Sequence, residues 1–224
     1  MNDFDYKTND RIRLTFSKKG LLKYVSHKDM MKILFRSIRR SGLPVAFSQG
    51  FSPHYKVSFS EPVKVGIQSN QEYVDLFLHK QTKTAEIKKA LNTVMPKGLT
   101  VLSAKSVNIA EPSLVKAIRN LEYLLEIPDD LKIAHEEIIR FLRFPMLEVV
   151  IEKKERKKTI NIAEWLETVS VIDKGRKNYI RLVMRPVLGN FISPTYFIAL
   201  LQEKYGALYS WKIIKNQTRL LNDN

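Results

Sequence analysis

A row of cations is the feature of this sequence best suited to binding chemistry. Lys28, Lys32, Arg36 and Arg40 recur every four residues, and residues at this spacing share one face of a helix. Like charges so arranged repel one another unless an anion lies across them, and a nucleic-acid backbone supplies such anions. The alternative is a solvated face with acidic neighbours, but no Asp or Glu occurs between Met30 and Ser60. The predicted phosphate-binding residues are Lys23, Lys28, Lys32, Arg36, Arg39 and Arg40.

The loop 48–54, with the sequence SQGFSPH, carries the second group of candidates. Gly50 permits backbone conformations that other residues avoid. Gln49, Phe51 and His54 are residue types that contact bases or phosphates in RNA-binding sites. Two interpretations of Phe51 stay open, a base-stacking side chain and a hydrophobic plug of a tight loop. The sequence also leaves open whether a small molecule binds at this loop.

His27 and His54 are the candidate catalytic residues of the first half. Two histidines with a nearby Tyr24 or Tyr55 could cleave RNA without a metal ion, one acting as base and the other as acid. The alternative is that both histidines have structural or binding roles. No cluster of His, Asp and Glu has metal-ligand spacing, and no Gly-rich nucleotide-binding motif occurs. We therefore expect neither a metal site nor a cofactor.

Composition favours a basic, intracellular protein. The chain of 224 residues has no Cys, which excludes disulfides, thiolate zinc sites and iron–sulfur clusters within it. Its net charge is +15, of which residues 1–110 contribute +11 and residues 111–224 contribute +4. Such an excess attracts polyanions, although solubility alone is an alternative reason for it. The polar first ten residues and the lack of a long apolar run predict a cytoplasmic protein without membrane contact.

The periodicity of apolar residues predicts an α+β fold. In the first half, alternation at 11–16 predicts a strand with one solvated face, and a stripe with helical spacing predicts a helix from Ser26 to about Gly42. Further strands are expected at 45–48, 56–60 and 99–104, extended pieces at 63–67 and 73–78, and a second helix at 84–94. This order, β-α-β-β-α-β, is typical of a ferredoxin-like fold.

The second half repeats the plan more loosely. We expect strands at 121–127, 147–152, 178–185 and 211–215, helices at 130–143 and 193–202, and a charged hairpin at 153–158. That hairpin is either a nucleic-acid contact or an ordinary surface turn. The predicted architecture is two tandem ferredoxin-like (βαββαβ) halves, a basic N-terminal domain at 1–110 and a C-terminal domain at 111–224.

Several motifs of the first half resemble a bacterial family, the radical-SAM-associated domain of unknown function. They are SHKD at 26–29, RRSGLPV at 39–45, SQGFSPH at 48–54, SFSEP at 58–62 and EYVD at 72–75. Two positions depart from the family pattern, since Lys32 and Ser193 stand where Arg is usual. The family occurs alone or joined to cobalamin-binding radical SAM proteins, and its genes often lie near those of an E/G-type ribonuclease and ribosomal proteins. The resemblance implies a role beside RNA metabolism or a radical SAM partner, without supplying an activity.

The leading hypothesis is an RNA-binding accessory protein of tRNA, rRNA or ribosome metabolism, without catalytic activity of its own. RNA is the expected partner, together with a radical SAM protein or a ribonuclease. One alternative is a metal-independent endoribonuclease resembling the enzymes that process CRISPR repeats. The other is a protein–protein adaptor that docks its basic face on a radical SAM enzyme.

Overall fold

The computed structural model describes residues 7–131, 133–153, 156–206 and 211–221 of a mixed α+β chain. Two compact units divide it. The first contains the chain up to Ile118 together with the C-terminal end from Leu220, and the second extends from Arg119 to Arg219. No helix among the described residues is long and apolar enough to cross a membrane.

The first unit is a sheet of four antiparallel strands in the order β4-β1-β3-β2. Its elements are β1 (Asp10–Lys18), α1 (His27–Ser41), β2 (Val57–Phe59), β3 (Gln68–Leu78), α2 (Thr84–Val94), β4 (Leu99–Val107) and the short α3 (Leu114–Ala117). Apolar side chains of β1, β3 and β4 pack against those of α1 and α2 and form one core. The helices therefore lie on one face of this sheet.

Helix α1 begins and ends as its sequence predicts. Ser26 is the N-cap: its Oγ accepts a hydrogen bond from the backbone N–H of Asp29 at 3.2 Å and donates one to the Asp29 carboxylate at 2.7 Å. Gly42 ends the helix with a φ of 66°, a left-handed conformation that glycine adopts without steric strain. Met30, Leu34 and Ile38 are buried, so the opposite face of α1 is turned to solvent.

The prediction that β1 has one solvated face is wrong. Arg11 and Arg13 are only 2% and 8% exposed, although they alternate with the core residues of the strand. Both guanidinium groups bind the carboxylate of Asp75 on β3, and Arg11 also donates to the backbone carbonyls of Glu111 and Pro112. Burial is possible because every charge in this cluster has a partner.

Neither the strand predicted at 45–48 nor the extended piece predicted at 63–67 forms a strand. Val45 and Phe47 make single bridges to Leu78 and Tyr55 instead, so the segment closes a loop without extending the sheet. In the other segment, Gly66 adopts a φ of 92° and donates its N–H to the carbonyl of Lys23, which interrupts an extended conformation.

The second unit contains four sheet strands in the order β10-β5-β9-β8, with a separate hairpin, β6-β7. Its elements are β5 (Ile118–Glu126), α4 (His135–Leu142), β6 (Glu148–Lys153), β7 (Arg156–Asn161), β8 (Leu166–Asp173), β9 (Asn178–Met184), α5 (Thr195–Tyr205) and β10 (Lys212–Leu220). The two strands of the predicted hairpin are present and paired. Residues 154 and 155 lie outside the described residues.

Two details of the second unit differ from the sequence prediction. Strand β8, which the sequence does not predict, pairs with β9 at the edge of the sheet. Helix α4 begins at His135 and not at 130, because residues 128–131 form a turn that is closed by a hydrogen bond from Leu131 N–H to the Pro128 carbonyl.

Candidate nucleic-acid interface

Helix α1 presents its predicted cations on the solvent-facing side. Lys28, Lys32, Arg36, Arg39 and Arg40 are all exposed. Over the 12 residues from the first to the last of the row, the helix rises about 18 Å. The sequence therefore predicted this face correctly as a row of accessible positive charges.

Two of these cations have partners within the first unit. Lys32 forms an ion pair with Asp29 at 3.1 Å, with both side chains more than half exposed. Arg40 donates from Nη2 to the backbone carbonyl of Val94 at 2.6 Å, so it joins the ends of α1 and α2. Lys28, Arg36 and Arg39 have no ion pair with any residue that the structure describes. These three side chains are therefore the ones most available to an anion.

Lys23 lies apart from that row, in a 3-10 turn at Gly20–Tyr24. Its Nζ is 4.9 Å from the ring centroid of Tyr24, a cation–π distance. The carbonyl of Lys23 also accepts the N–H of Gly66. Its location before α1 leaves it outside the pocket that the α1 cations line.

An open pocket of about 310 Å³ lies between α1 and the segment 47–55. One side carries the cations Lys32, Arg36 and Arg39. The remaining wall consists of Phe35, Phe47, Pro53, His54 and Tyr55. A concave site with cations on one side and aromatic rings on the other combines the two types of contact that proteins use for single-stranded nucleic acids.

His54 is held in this pocket by the turn that precedes it. Its Nδ1 is 3.0 Å from Ser48 Oγ and 3.3 Å from the carbonyl oxygen of Ser52, and its backbone N–H donates to Ser48 Oγ. A carbonyl can only accept, so this geometry favours the tautomer with the proton on Nδ1. Nε2 is then the nitrogen that can contact a ligand.

Gln49 and Phe51 lie at the exposed end of the loop, together with Gly50. Phe51 is fully exposed, so it does not plug the loop against the core. Neither Gln49 nor Phe51 lines the pocket. The structure thus brings together His54 and three of the predicted cations, but leaves the other two loop candidates beside the pocket.

The second candidate catalytic residue, His27, lines a different cavity. That cavity measures about 20 Å³, room for about one water molecule, and His27 shares it with Lys18, Phe59 and Glu72. Its ring packs edge-on against Phe59 with centroids 5.3 Å apart. A ribonuclease that uses both histidines on one phosphate needs them at one site, and His27 and His54 line separate cavities.

Burial determines the charge state of the residues in the small cavity. It lowers the pKa of His27 below its ordinary value of 6.5; the Glu72 carboxylate opposes this shift and the Lys18 cation adds to it. Burial also lowers the pKa of Lys18, and again Glu72 opposes the shift. Lys18 donates from Nζ to the carbonyl of Val25 at 3.1 Å, which satisfies one of its protons.

Sequence reasoning missed the aromatic part of the open pocket. Helical spacing places Phe35 in the apolar stripe of α1, the strand predicted at 45–48 contains Phe47, and Tyr55 is a candidate only as a neighbour of a catalytic His. Their clustering depends on the bridge between Phe47 and Tyr55, which closes the loop against α1. The local signal was the recurrence of aromatic residues at 47, 51 and 55 around a Gly and a Pro.

No group of three or more His, Cys, Asp or Glu side chains suitable for a metal ion occurs in the part of the chain that the structure describes. Chemistry at the open pocket therefore depends on cations, aromatic rings and one imidazole. Side chains of these types are chemically suited to contact phosphates and planar rings.

Comparison with known proteins identifies the family. A sequence profile described as an uncharacterized protein conserved in bacteria (DUF2344) matches residues 11–193, and the chain belongs to that family. No curated protein matches the chain. The crystal structure of an unknown protein from Galdieria sulphuraria is similar over 96% of this chain and 99% of its own, at 11% identity and a TM-score of 0.27. A likeness of this size carries no argument about fold or function.

Proposed function

We propose that this member of the DUF2344 family is an RNA-binding accessory protein whose contact surface is the exposed face of α1. The observation that supports the proposal most directly is the exposure of Lys28, Arg36 and Arg39 without an ion-pair partner among the described residues. Cations held close together on one helix repel one another, and a phosphate backbone removes that repulsion while releasing its own counterions.

Salt dependence of RNA binding tests this function. A triple variant with Lys28→Gln, Arg36→Gln and Arg39→Gln removes three charges from α1. A plot of log K for RNA binding against log salt concentration has a negative slope, and each lost phosphate contact reduces its magnitude by about 0.7 for a single strand. For three lost contacts we expect the magnitude of the slope to fall by about 2. Fluorescence anisotropy with labelled cellular RNA across a salt series measures the slope.

The matched control removes three charges elsewhere in the same unit. Lys83, Lys89 and Lys97 are exposed and lie at the start of α2, on it and just after it. Their replacement by Gln changes the net charge by the same amount. If both triple variants lose affinity and slope equally, RNA responds only to total charge, and the assignment of α1 as the interface is wrong.

We also infer that both units are ferredoxin-like. The strand orders β4-β1-β3-β2 and β10-β5-β9-β8 support this, since each has the first and third strands in the centre and the second and fourth at the edges. In the second unit the hairpin β6-β7 then stands as an insertion between α4 and β8. An experimental structure in which either order differs would refute this inference.

Association with a radical SAM protein or a ribonuclease, which the family resemblance implies, stays a prediction. The chain has no Cys, so an iron–sulfur cluster of such a complex would be held by the partner. Copurification from cells after nuclease treatment tests it: a complex that persists supports an adaptor role, and one that disappears indicates a link through RNA.

A further inference from the structure

Three aromatic rings form a continuous wall in the open pocket beside α1. Phe47 and Tyr55 are stacked, with centroids 4.8 Å apart and an interplanar angle of 29°. Phe35 lies 6.1 Å from Tyr55 and 6.4 Å from His54. All three are only half-buried and line the pocket. Phe35 and Tyr55 pack on the core with one side, and Phe47 packs on Tyr55. A planar apolar group can therefore be accommodated there.

Cations border the same wall. Lys32, Arg36 and Arg39 line the pocket together with these rings, and Arg36 and Arg39 have no ion-pair partner among the described residues. A ligand that fits both surfaces carries a planar ring and a negative charge close to it. A nucleotide within a polynucleotide meets both conditions, because each base is linked to flanking phosphates.

We propose that this pocket binds one unpaired base of single-stranded RNA, with the flanking phosphates on Arg36 and Arg39. The proposal rests on the proposed function and names its substrate class. The base stacks on the aromatic wall formed by Phe35, Phe47 and Tyr55. His54 lines the pocket, and its Nδ1 is engaged by Ser48 and Ser52, so Nε2 is the nitrogen that accepts a hydrogen bond from the base edge.

Single-stranded RNA fits this geometry and duplex RNA does not. In an A-form duplex the bases stack on one another, so their faces are closed to a protein, and a splayed base is needed for stacking on aromatic side chains. A cationic helix face without an aromatic wall would bind both forms through their phosphates. The aromatic wall therefore predicts a preference for single-stranded over duplex RNA, which cationic charge alone cannot produce.

The experiment compares two RNAs and three variants of the full chain. The probes are a short oligouridine RNA and a duplex RNA of the same length. Phe35→Leu, Phe47→Leu and Tyr55→Leu each remove a ring but keep an apolar side chain for the core. Phe144→Leu, which removes an exposed ring from the second unit, is the control. Circular dichroism of each variant verifies that it is folded, and three separate positions keep the test decisive if one variant does not fold.

We expect each pocket variant to bind oligouridine about ten-fold or more weakly while its affinity for the duplex is unchanged, since stacking of a base on an aromatic ring contributes this much. Unchanged oligouridine affinity in the folded pocket variants, or equal losses for both RNAs, overturns the base site. The proposed function fails separately, if neutralising the α1 cations changes RNA binding no more than the control triple variant does.

Discussion

Replacing Asp75 by Asn removes the central charge of a buried ionic cluster in the first unit. The Asp75 side chain is fully buried, and its two oxygens accept hydrogen bonds from Arg11 Nε and Nη2 at 2.8 and 2.5 Å and from Arg13 Nε and Nη2 at 2.9 and 3.1 Å. Burial lowers the pKa of Arg13, but its hydrogen bond and charge interaction with Asp75, together with the charges of Glu111 and Tyr73, outweigh burial and raise that pKa. Asn has nearly the same shape, so the substitution changes charge and hydrogen bonding without creating a cavity.

The expected loss of stability in Asp75→Asn follows from the partners that the buried guanidinium groups of Arg11 and Arg13 retain. Removing one partner of a buried ion pair costs about 3–5 kcal/mol, because the other charge stays buried without compensation. Here two guanidinium groups lose their shared carboxylate. Arg11 keeps the carbonyls of Glu111 and Pro112 at 2.6 and 2.8 Å. Among the described residues, the Glu111 carboxylate at 3.8 Å is the one ionic partner that Arg13 keeps. We expect the loss to lie within that range of about 3–5 kcal/mol.

Urea denaturation followed by far-UV circular dichroism measures this loss. With a urea dependence of about 2 kcal/mol per molar, the unfolding midpoint should fall by about 2 M. Glu111→Gln is the matched control, because this carboxylate is 32% exposed and its loss should cost less than about 1 kcal/mol. If Asp75→Asn lowers the midpoint no more than Glu111→Gln does, the cluster does not stabilise the first unit as described.

Two further substitutions test the packing of the first unit. Because the pKa of His27 is lowered in the folded state, the unfolded chain binds a proton first as the pH falls through 6.5, and the folded protein loses stability. His27→Gln should therefore reduce the loss of folding stability between about pH 7.5 and about pH 5.5. Parallel pH curves of the urea midpoint for the variant and the wild type would contradict this. Gly98→Ala should destabilise more than Gly175→Ala in thermal unfolding, because both glycines have a positive φ but only at Gly98 would a Cβ lie 2.6 Å from the Lys19 carbonyl oxygen. Equal effects would show that left-handed strain, about 1–2 kcal/mol, is the whole cost.

Helix α1 could be predicted from sequence because its signals are local. Ser26 and Gly42 mark its ends, and the apolar stripe of Met30, Leu34 and Ile38 determines which face is buried. Once that face is known, the exposed positions of the cations follow from helical geometry alone. The exposed row of cations therefore appears in the structure, although Arg40 is engaged by a backbone carbonyl of α2. Phosphate binding by this face stays a prediction.

Features that depend on distant residues could not be predicted in this way. The alternation at 11–16 is that of a half-solvated strand, yet Arg11 is buried by Asp75, 64 positions away, and by carbonyls at 111 and 112. The aromatic wall requires Phe35 of the helix to meet Tyr55 of the loop. Strand β8 was missed because only one of its residues, Val169, is buried, so its apolar pattern is weak.

Crosslinking of RNA to the full chain tests the central claim, that the α1 face and its aromatic pocket are the RNA contact. Single-stranded RNA containing thiouridine is irradiated with the protein at near-physiological salt, and mass spectrometry then maps the crosslinked peptides. We predict that crosslinks concentrate between residues 28 and 55 and decrease in the Lys28, Arg36 and Arg39 triple variant. Crosslinks concentrated in the hairpin at 148–161, or spread evenly over exposed lysines of both units, would contradict the account.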